Sequence, residues 1–459
     1  MCLYLKKKLL IWLQQANKTL KIGLPVAVSR SGFIALILID TAMVGRIGAD
    51  ELAIISIATG PQVFLMLVGL GLLRGGPILI AQAFGAGQNT KCGHIFRLVM
   101  VYALFIGIIL TTISLFGESI LKFFGQQKDL ALGGGKVMQN FAIGLIPFLF
   151  WIGICNFLEG IGRTIAPMII SSLAILISPG LNLIFIYGNL GIPEMGASGA
   201  QLATSILRII MFLIIFLYIF LNPNFHTFKL FKKMKVFWKP SAQLRKLGYA
   251  LGIAAGIEAF AYAILTMIGG IISKATLSIF QIVNTSIGMV FMIAIGLGAA
   301  AAVQVGQAIG KNDKNMLLRK RDVKSIGWTS IILLLIMMTF LMLPFVIYPT
   351  KIASLYTNEI SLINSAKSSI IIAGLALIFN GIQAVWMGAL RGAGDVWFPM
   401  NIQIFSSIFI MVPSAWFLAI ILNLGAVGLI SSILLSVLIS SIILTIRFII
   451  IIKKGLQRI

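Results

Sequence analysis

Twelve long apolar stretches alternate with short polar segments along the chain. A transmembrane helix needs about 20 mostly apolar residues, and it tolerates internal glycine and proline. The stretches lie near 24–44, 52–80, 97–117, 137–158, 165–187, 198–221, 248–272, 277–305, 325–349, 368–389, 398–422 and 426–452. We interpret residues 1–22 as a basic amphipathic lead-in and Pro25 as the first turn of the first span, where its missing N–H costs nothing. The pattern predicts an all-α membrane protein with twelve transmembrane helices.

Three short motifs recur in the same order, 225 to 232 residues further along the chain. They are QAFG at 82–85 and QAIG at 307–310, LEGIGRTIAPM at 158–168 and LRGAGDVWFPM at 390–400, and GASG at 196–199 and GAVG at 425–428. Chance likeness between glycine-rich turns is the alternative, and the preserved order and spacing argue against it. The repeat predicts two six-helix bundles in the same orientation, at 1–235 and 236–459. Parallel repeats of this kind are a transporter design, with the substrate path between the halves.

Composition and charge agree with a membrane protein. The chain is 59% hydrophobic and only 10% charged, whereas soluble domains carry about 25% charged residues. The net charge of +24 does not indicate nucleic-acid binding, because the 36 Lys and Arg residues cluster in short loops between apolar stretches. With the N-terminus in the cytoplasm, the inner segments hold 25 of them and the outer segments hold seven. This asymmetry predicts an even number of spans with both termini cytoplasmic.

Two acidic residues lie well inside apolar stretches. Asp40 is in the first predicted span and Glu258 is in the seventh, so each half has one in its first helix. A charge at mid-bilayer costs about 2.5–3.5 kcal/mol on insertion scales and usually marks an ion, proton or substrate site. Desolvation also disfavours a charged carboxylate, which allows such a group to carry a proton. The alternatives are an interfacial pair between Asp40 and Arg46, and a structural pair between Glu258 and an intramembrane arginine.

Polar side chains in other spans could complete these sites. Asn182 in the fifth span and Thr204 in the sixth offer oxygen ligands in the first half. Asn380 and Gln383 lie three residues apart on one face of the tenth span and could border a cavity with Glu258. Hydrogen bonds between helices are the alternative role for all four side chains.

Aromatic and methionine side chains could line a path for organic cations, because aromatic faces attract cations and methionine adapts its shape. The candidates for such a substrate cavity are Phe260, Tyr262, Phe291 and Met292. Packing against lipid is the alternative for most of them.

The motifs of other protein classes are missing from the sequence. There is no Gly-x-x-x-x-Gly-Lys-[Ser/Thr] phosphate-binding motif, so ATP-driven transport by this chain is not expected. His94 and His226 fall in predicted loops, and no nucleophile is paired with a base in a span. We therefore expect neither an enzyme nor a bound cofactor.

Several motifs together resemble the MATE family (multidrug and toxic compound extrusion), and most closely its NorM-like branch. They are LP at 24–25, DTAMVGRIG at 40–48, QAFGAG at 82–87, GIPEMGASG at 191–199, VGQAIG at 305–310 and GALRG at 388–392. The resemblance covers nearly the whole chain. It implies twelve helices in two bundles that form a V, in a bacterial inner membrane. It also implies antiport of small organic cations or amphipathic drugs against H⁺ or Na⁺, and we expect a monomer that binds no nucleic acid.

The resemblance also implies a set of coupling residues. The family's first-helix acid falls on Asp40, its seventh-helix acid on Glu258 and a fifth-helix Asn on Asn182. A second fifth-helix Asn is replaced by Ser178, and a tenth-helix Asp is replaced by Asn380. One acid per half is enough for proton exchange, and Na⁺ at Asp40 and Asn182 stays open.

A lipid-linked oligosaccharide flippase or polysaccharide exporter of the same superfamily is the main alternative function. Such a protein would need a cationic cavity for pyrophosphate, for which Arg30, Arg74 and Arg208 are available. The acids at Asp40 and Glu258 argue against it. A passive channel is a further alternative, and the two-half repeat and the lack of charged rings argue against that.

Overall fold

A computed structural model describes residues 2–189, 191–232, 241–311 and 315–454. No strand occurs among these residues, and twelve of their helices are long and apolar enough to cross a membrane. The predicted fold class and number of spans are thereby confirmed. The first six helices, α1 to α6, are Cys2–Val44, Ala49–Gly85, Asn89–Leu115, Lys128–Gly160, Ile165–Phe185 and Gly196–Leu221. The next six, α7 to α12, are Ala242–Ile272, Lys274–Lys311, Met316–Ile347, Ile360–Gly392, Trp397–Ile421 and Gly425–Lys454.

Three shorter elements connect these helices. They are the helix Gly117–Phe123, the 3₁₀ helix Pro223–Phe228 and the helix Pro349–Ser354. Helix α2 consists of two segments, Ala49–Leu73 and Gly75–Gly85, which meet at Arg74.

The first helix begins earlier than the hydropathy predicts. Helix α1 starts at Cys2, so Pro25 lies in its interior and the predicted start of the span at Pro25 is wrong. The extension is stabilised by polar contacts that hydropathy does not register. Gln304 of α8 donates a hydrogen bond to Thr19 at 3.0 Å and also pairs with Gln15. These contacts satisfy the hydrogen-bonding groups of the polar side chains at the start of α1. Ile22 of the same segment is buried.

Helix α11 carries two π-helical segments, Ser406–Met411 and Phe417–Ile421, on either side of Pro413. Proline lacks an N–H, which breaks the regular ladder and favours a wider turn nearby. The backbone oxygen of Ser406 accepts a hydrogen bond from the hydroxyl of Ser436 in α12 at 2.9 Å. The Ser436 hydroxyl thus provides a hydrogen-bond donor for a backbone carbonyl in the π-helical segment.

The chain forms two compact units. The N-unit consists of Val28–Ile80 and Gln88–Gly252, and the C-unit consists of Met1–Ala27, Ala81–Gly87 and Ile253–Ile459. The predicted boundary between two halves, at 235/236, lies outside the described residues. The division into halves at 1–235 and 236–459 therefore stays a prediction.

Each unit has its own aromatic core. In the N-unit the buried ring of Phe157 in α4 packs edge-on against Phe96 at 5.2 Å and against Phe228 at 5.3 Å between ring centroids. In the C-unit the buried ring of Trp386 in α10 lies 4.2 Å from the ring of Phe448 in α12. These ring contacts pack α4 against α3 in the N-unit and α10 against α12 in the C-unit.

Candidate functional site

The carboxylate of Asp40 lies at the centre of a polar site in the N-unit. Its side chain is only 6% exposed, although it sits in a membrane-spanning helix. One oxygen, Oδ1, accepts a hydrogen bond from Nδ2 of Asn182 in α5 at 2.8 Å. The other, Oδ2, accepts a hydrogen bond from Oγ1 of Thr204 in α6 at 2.6 Å. Three helices therefore meet at one carboxylate.

These contacts differ from the interfacial pair considered for Asp40. Arg46 is exposed beyond the end of α1, and the partners of Asp40 are neutral and buried. Oδ1 of Asn182 is also buried and has no hydrogen-bond partner in the described part of the chain. Together the carboxylate, the amide oxygen and the hydroxyl are the kind of oxygen ligands that hard cations take. The same carboxylate can also hold a proton.

Ser178 lies one turn before Asn182 on α5 and is 2% exposed, so it shares the buried face of that helix. Among the hydrogen bonds of the described residues, none joins Ser178 to Asp40. The structure thus brings three of the four predicted residues of this half together directly.

Arg208, predicted only as a candidate for a cationic cavity, is also a member of this site. It lies one turn after Thr204 on α6 and lines the same cleft as Asp40, Gln62 and Gln201. Its guanidinium carbon lies 4.9 Å and 5.1 Å from the ring centroids of two phenylalanines of α4, Phe141 and Phe148. The spacing of four residues between Thr204 and Arg208 is the sequence signal that could have found it.

Glu258 lies in the C-unit and is half-buried in α7. Tyr262 lies one turn further along the same helix. Asn380 in α10 is half-buried, and Gln383 is 6% exposed. Nε2 of Gln383 donates a hydrogen bond to Oε1 of Gln403 in α11 at 3.0 Å, which is an interhelical bond of the alternative kind.

The two halves of the chain match one family model. The MatE model matches residues 25–187 and again residues 251–417, at a spacing close to that of the internal repeat. The chain is a member of the MATE family. Both intramembrane acids, Asp40 and Glu258, lie inside the matched segments.

The most similar relatives include two bacterial proteins that are each named probable multidrug resistance protein NorM. The one from Caulobacter vibrioides is 29% identical over 94% of this chain and 90% of its own length. The one from Bradyrhizobium diazoefficiens is 28% identical over 90% of this chain and 88% of its own length. The predicted resemblance to the NorM-like branch of the MATE family is confirmed.

Solved MATE structures share the fold of this chain. The crystal structure of the eukaryotic MATE transporter AtDTX14 superposes with a TM-score of 0.85 at 19% identity, over 96% of this chain and 97% of that one. An outward-facing multidrug resistance MATE transporter superposes with a TM-score of 0.82 at 17% identity, over 96% and 97%. This MATE chain therefore has the fold expected from its sequence.

The predicted substrate-cavity residues of the MATE chain lie in two different environments. Phe260 of α7 is 61% exposed, while Tyr262 packs partly buried against the core of the C-unit. Phe291 of α8 packs against a second apolar cluster, and Met292 is half-buried. Their role in substrate binding stays a prediction, as does that of Asn380 and Gln383.

Two intramembrane arginines of the MATE chain have direct carboxylate partners. Nη2 of Arg30 lies 3.2 Å from Oε2 of Glu159, and Nε of Arg447 lies 2.8 Å from Oδ2 of Asp395. Glu159 directly follows the predicted end of the fourth span, so its burial was not expected from hydropathy. Helix α4 extends to Gly160, which buries Glu159 and brings it to Arg30.

Proposed function

We propose that this chain is a secondary antiporter that exports cationic or amphipathic organic compounds across the bacterial inner membrane in exchange for H⁺ or Na⁺. The observation that carries the proposal is the buried Asp40 carboxylate with its two neutral partners, Asn182 and Thr204. A buried acid with neutral partners keeps a negative charge available to a mobile cation or proton. The name of the NorM relatives, multidrug resistance protein, supports an amphipathic drug as the exported compound.

The mechanism follows from the two forms of the carboxylate. In the ionised form, Asp40 accepts hydrogen bonds from Asn182 and Thr204. Binding of a proton or Na⁺ changes these contacts and so favours one of two conformations, inward-facing or outward-facing. Glu258 is the corresponding acid of the C-unit in this proposal. Both termini lie in the cytoplasm, as the distribution of Lys and Arg predicts.

The pairing of Arg30 supports an exporter of organic cations over an exporter of anionic lipid-linked sugars. A pyrophosphate site would need several guanidinium groups free of carboxylates, whereas Arg30 forms an ion pair with Glu159 and Arg208 shares its cleft with the Asp40 carboxylate. Asp40 and Glu258 would in addition repel an anionic headgroup.

The proposal is tested by efflux of a fluorescent organic cation from membrane vesicles under an imposed proton or sodium gradient. We expect Asp40→Asn and Glu258→Gln each to reduce gradient-driven efflux by about tenfold or more, because each removes a cation-binding charge. Asp50→Asn is the matched control, because this carboxylate is exposed in the first turn of α2. Equal efflux by all three variants and the unsubstituted protein would refute the assignment of the coupling residues.

A further inference from the structure

Arg208 shares the cleft of the N-unit with Asp40. Of the described residues that line this cleft, these two are the ionisable ones. The other helices contribute neutral groups: Thr59 and Gln62 come from α2, and Phe141 comes from α4. Asn182 of α5, the partner of Asp40, is neutral as well. Among the described lining residues, Arg208 is therefore the one fixed cation that shares the cleft with the Asp40 carboxylate.

No ion pair joins Arg208 directly to a carboxylate among the residues that the structure describes. Its guanidinium lies over the rings of Phe141 and Phe148, and Nη2 contacts the sulfur of Met66 at 3.7 Å. Nη1 is buried and has no hydrogen-bond partner among the described residues. Arg30 and Arg447, by contrast, each bond directly to a carboxylate. A guanidinium stays protonated in proteins, so Arg208 brings a permanent positive charge to the cleft.

This fixed charge weakens the binding of any cation at Asp40, but it affects H⁺ and Na⁺ unequally in practice. Burial disfavours the charged form of a carboxyl group and so strengthens proton binding, which lets a buried carboxyl group such as Asp40 tolerate some loss of proton affinity. Na⁺ keeps its full charge beside the guanidinium and must exchange its water shell for oxygen ligands. Both oxygens of Asp40 already accept hydrogen bonds from Asn182 and Thr204, so Na⁺ would have to displace these donors to coordinate the carboxylate.

We propose that Arg208 is a specificity-determining residue that makes the proton, and not Na⁺, the coupling ion at Asp40. The inference rests on the proposed antiport function and names the ion that the function leaves open. In the deprotonated state the guanidinium compensates the charge of the carboxylate within the cleft. Protonation needs no coordination shell, and it requires a rearrangement only of the hydrogen bonds from Asn182 and Thr204.

The test uses the full chain in proteoliposomes loaded with a fluorescent organic cation. Efflux is measured under a proton gradient without Na⁺, under a Na⁺ gradient at equal pH, and without a gradient. The variants are Arg208→Gln and Arg208→Met, which remove the charge, and Arg208→Lys, which keeps it. Arg46→Gln is the matched control, because it removes a positive charge from the exposed turn that follows the helix carrying Asp40.

We expect the unsubstituted protein, Arg208→Lys and Arg46→Gln to respond to the proton gradient and not to the Na⁺ gradient. Arg208→Gln and Arg208→Met should gain Na⁺-driven efflux of at least about tenfold over their gradient-free rate, because a like charge has been removed. Their half-maximal pH of proton-driven efflux should also shift to higher values, since the same charge opposes protonation.

Na⁺-driven efflux by the unsubstituted protein would overturn the inference and leave antiport standing. Neutral variants that respond to protons as before and ignore Na⁺ would also overturn it. If neither neutral variant folds, the test is whether a Na⁺ gradient drives efflux by the unsubstituted protein. The absence of efflux under every gradient would instead refute the proposed function, and this result is distinct from the others.

Discussion

Gly85 of α2 lies against the backbone of Gln307 in α8. A Cβ atom on Gly85 would lie 2.1 Å from the backbone oxygen of Gln307, and a Cβ on Gly310 would lie 2.1 Å from that of Gln82. The two contacts are reciprocal, and all four residues belong to the repeated motifs QAFG and QAIG. At the repeated motifs, small residues therefore let the C-terminal end of α2 and helix α8 approach closely within the C-unit.

Alanine at either of these glycines should destabilise the protein. We expect Gly85→Ala and Gly310→Ala each to lower the free energy of unfolding by about 1–3 kcal/mol, because the added methyl group forces the two backbones apart. Thermal unfolding in detergent measures this. Gly288→Ala is the control on the same helix α8, since no heavy atom lies within 4 Å of the added methyl group. Stability that is unchanged in Gly85→Ala and Gly310→Ala would contradict the close approach.

Removal of the hydroxyl of Thr204 should impair coupling at Asp40. Thr204→Val keeps the shape of the side chain but leaves Oδ2 of Asp40 without its donor, at a cost of about 1–3 kcal/mol when the carboxylate is ionised. We therefore expect the half-maximal pH of proton-driven efflux to rise in Thr204→Val. Thr204→Ser retains the hydroxyl and should behave like the unsubstituted protein. A pH profile that is identical in all three proteins would show that this hydrogen bond does not matter for coupling.

The stabilising effects of Arg30 and Glu159 should depend on each other, because the two side chains form an ion pair. Removal of one partner leaves the other charged and largely buried, so Arg30→Met or Glu159→Gln should each cost about 3 kcal/mol. The double variant should recover most of that loss, because neither charge then remains unpaired. A thermal-unfolding double-mutant cycle measures the interaction energy. Single variants whose losses simply add in the double variant would indicate that the pair is not coupled.

Hydropathy and repetition were sufficient for much of the fold. Lipid replaces water around the helices, so each span must be a long apolar stretch, and this requirement is visible without any tertiary contact. Asp40 was identified as a site residue for the same reason, because an acid in an apolar stretch is costly. The beginning of α1 was not predictable in this way. Its polar residues Gln15 and Thr19 are stabilised by Gln304, which is almost three hundred residues away in the sequence.

Residue type and local spacing were enough to predict the twelve spans, the family and the acidic residue at the centre of the candidate site. The groups that surround that acid depend instead on how the helices pack. Asn182 and Thr204 bond to Asp40 across three helices, and Arg208 lines the same cleft, with no direct bond to a carboxylate in the described part of the chain. Hydropathy reports how a residue partitions between water and lipid. It does not report which side of a helix faces its neighbours, and that orientation decides which charges and hydrogen bonds reach the carboxylate.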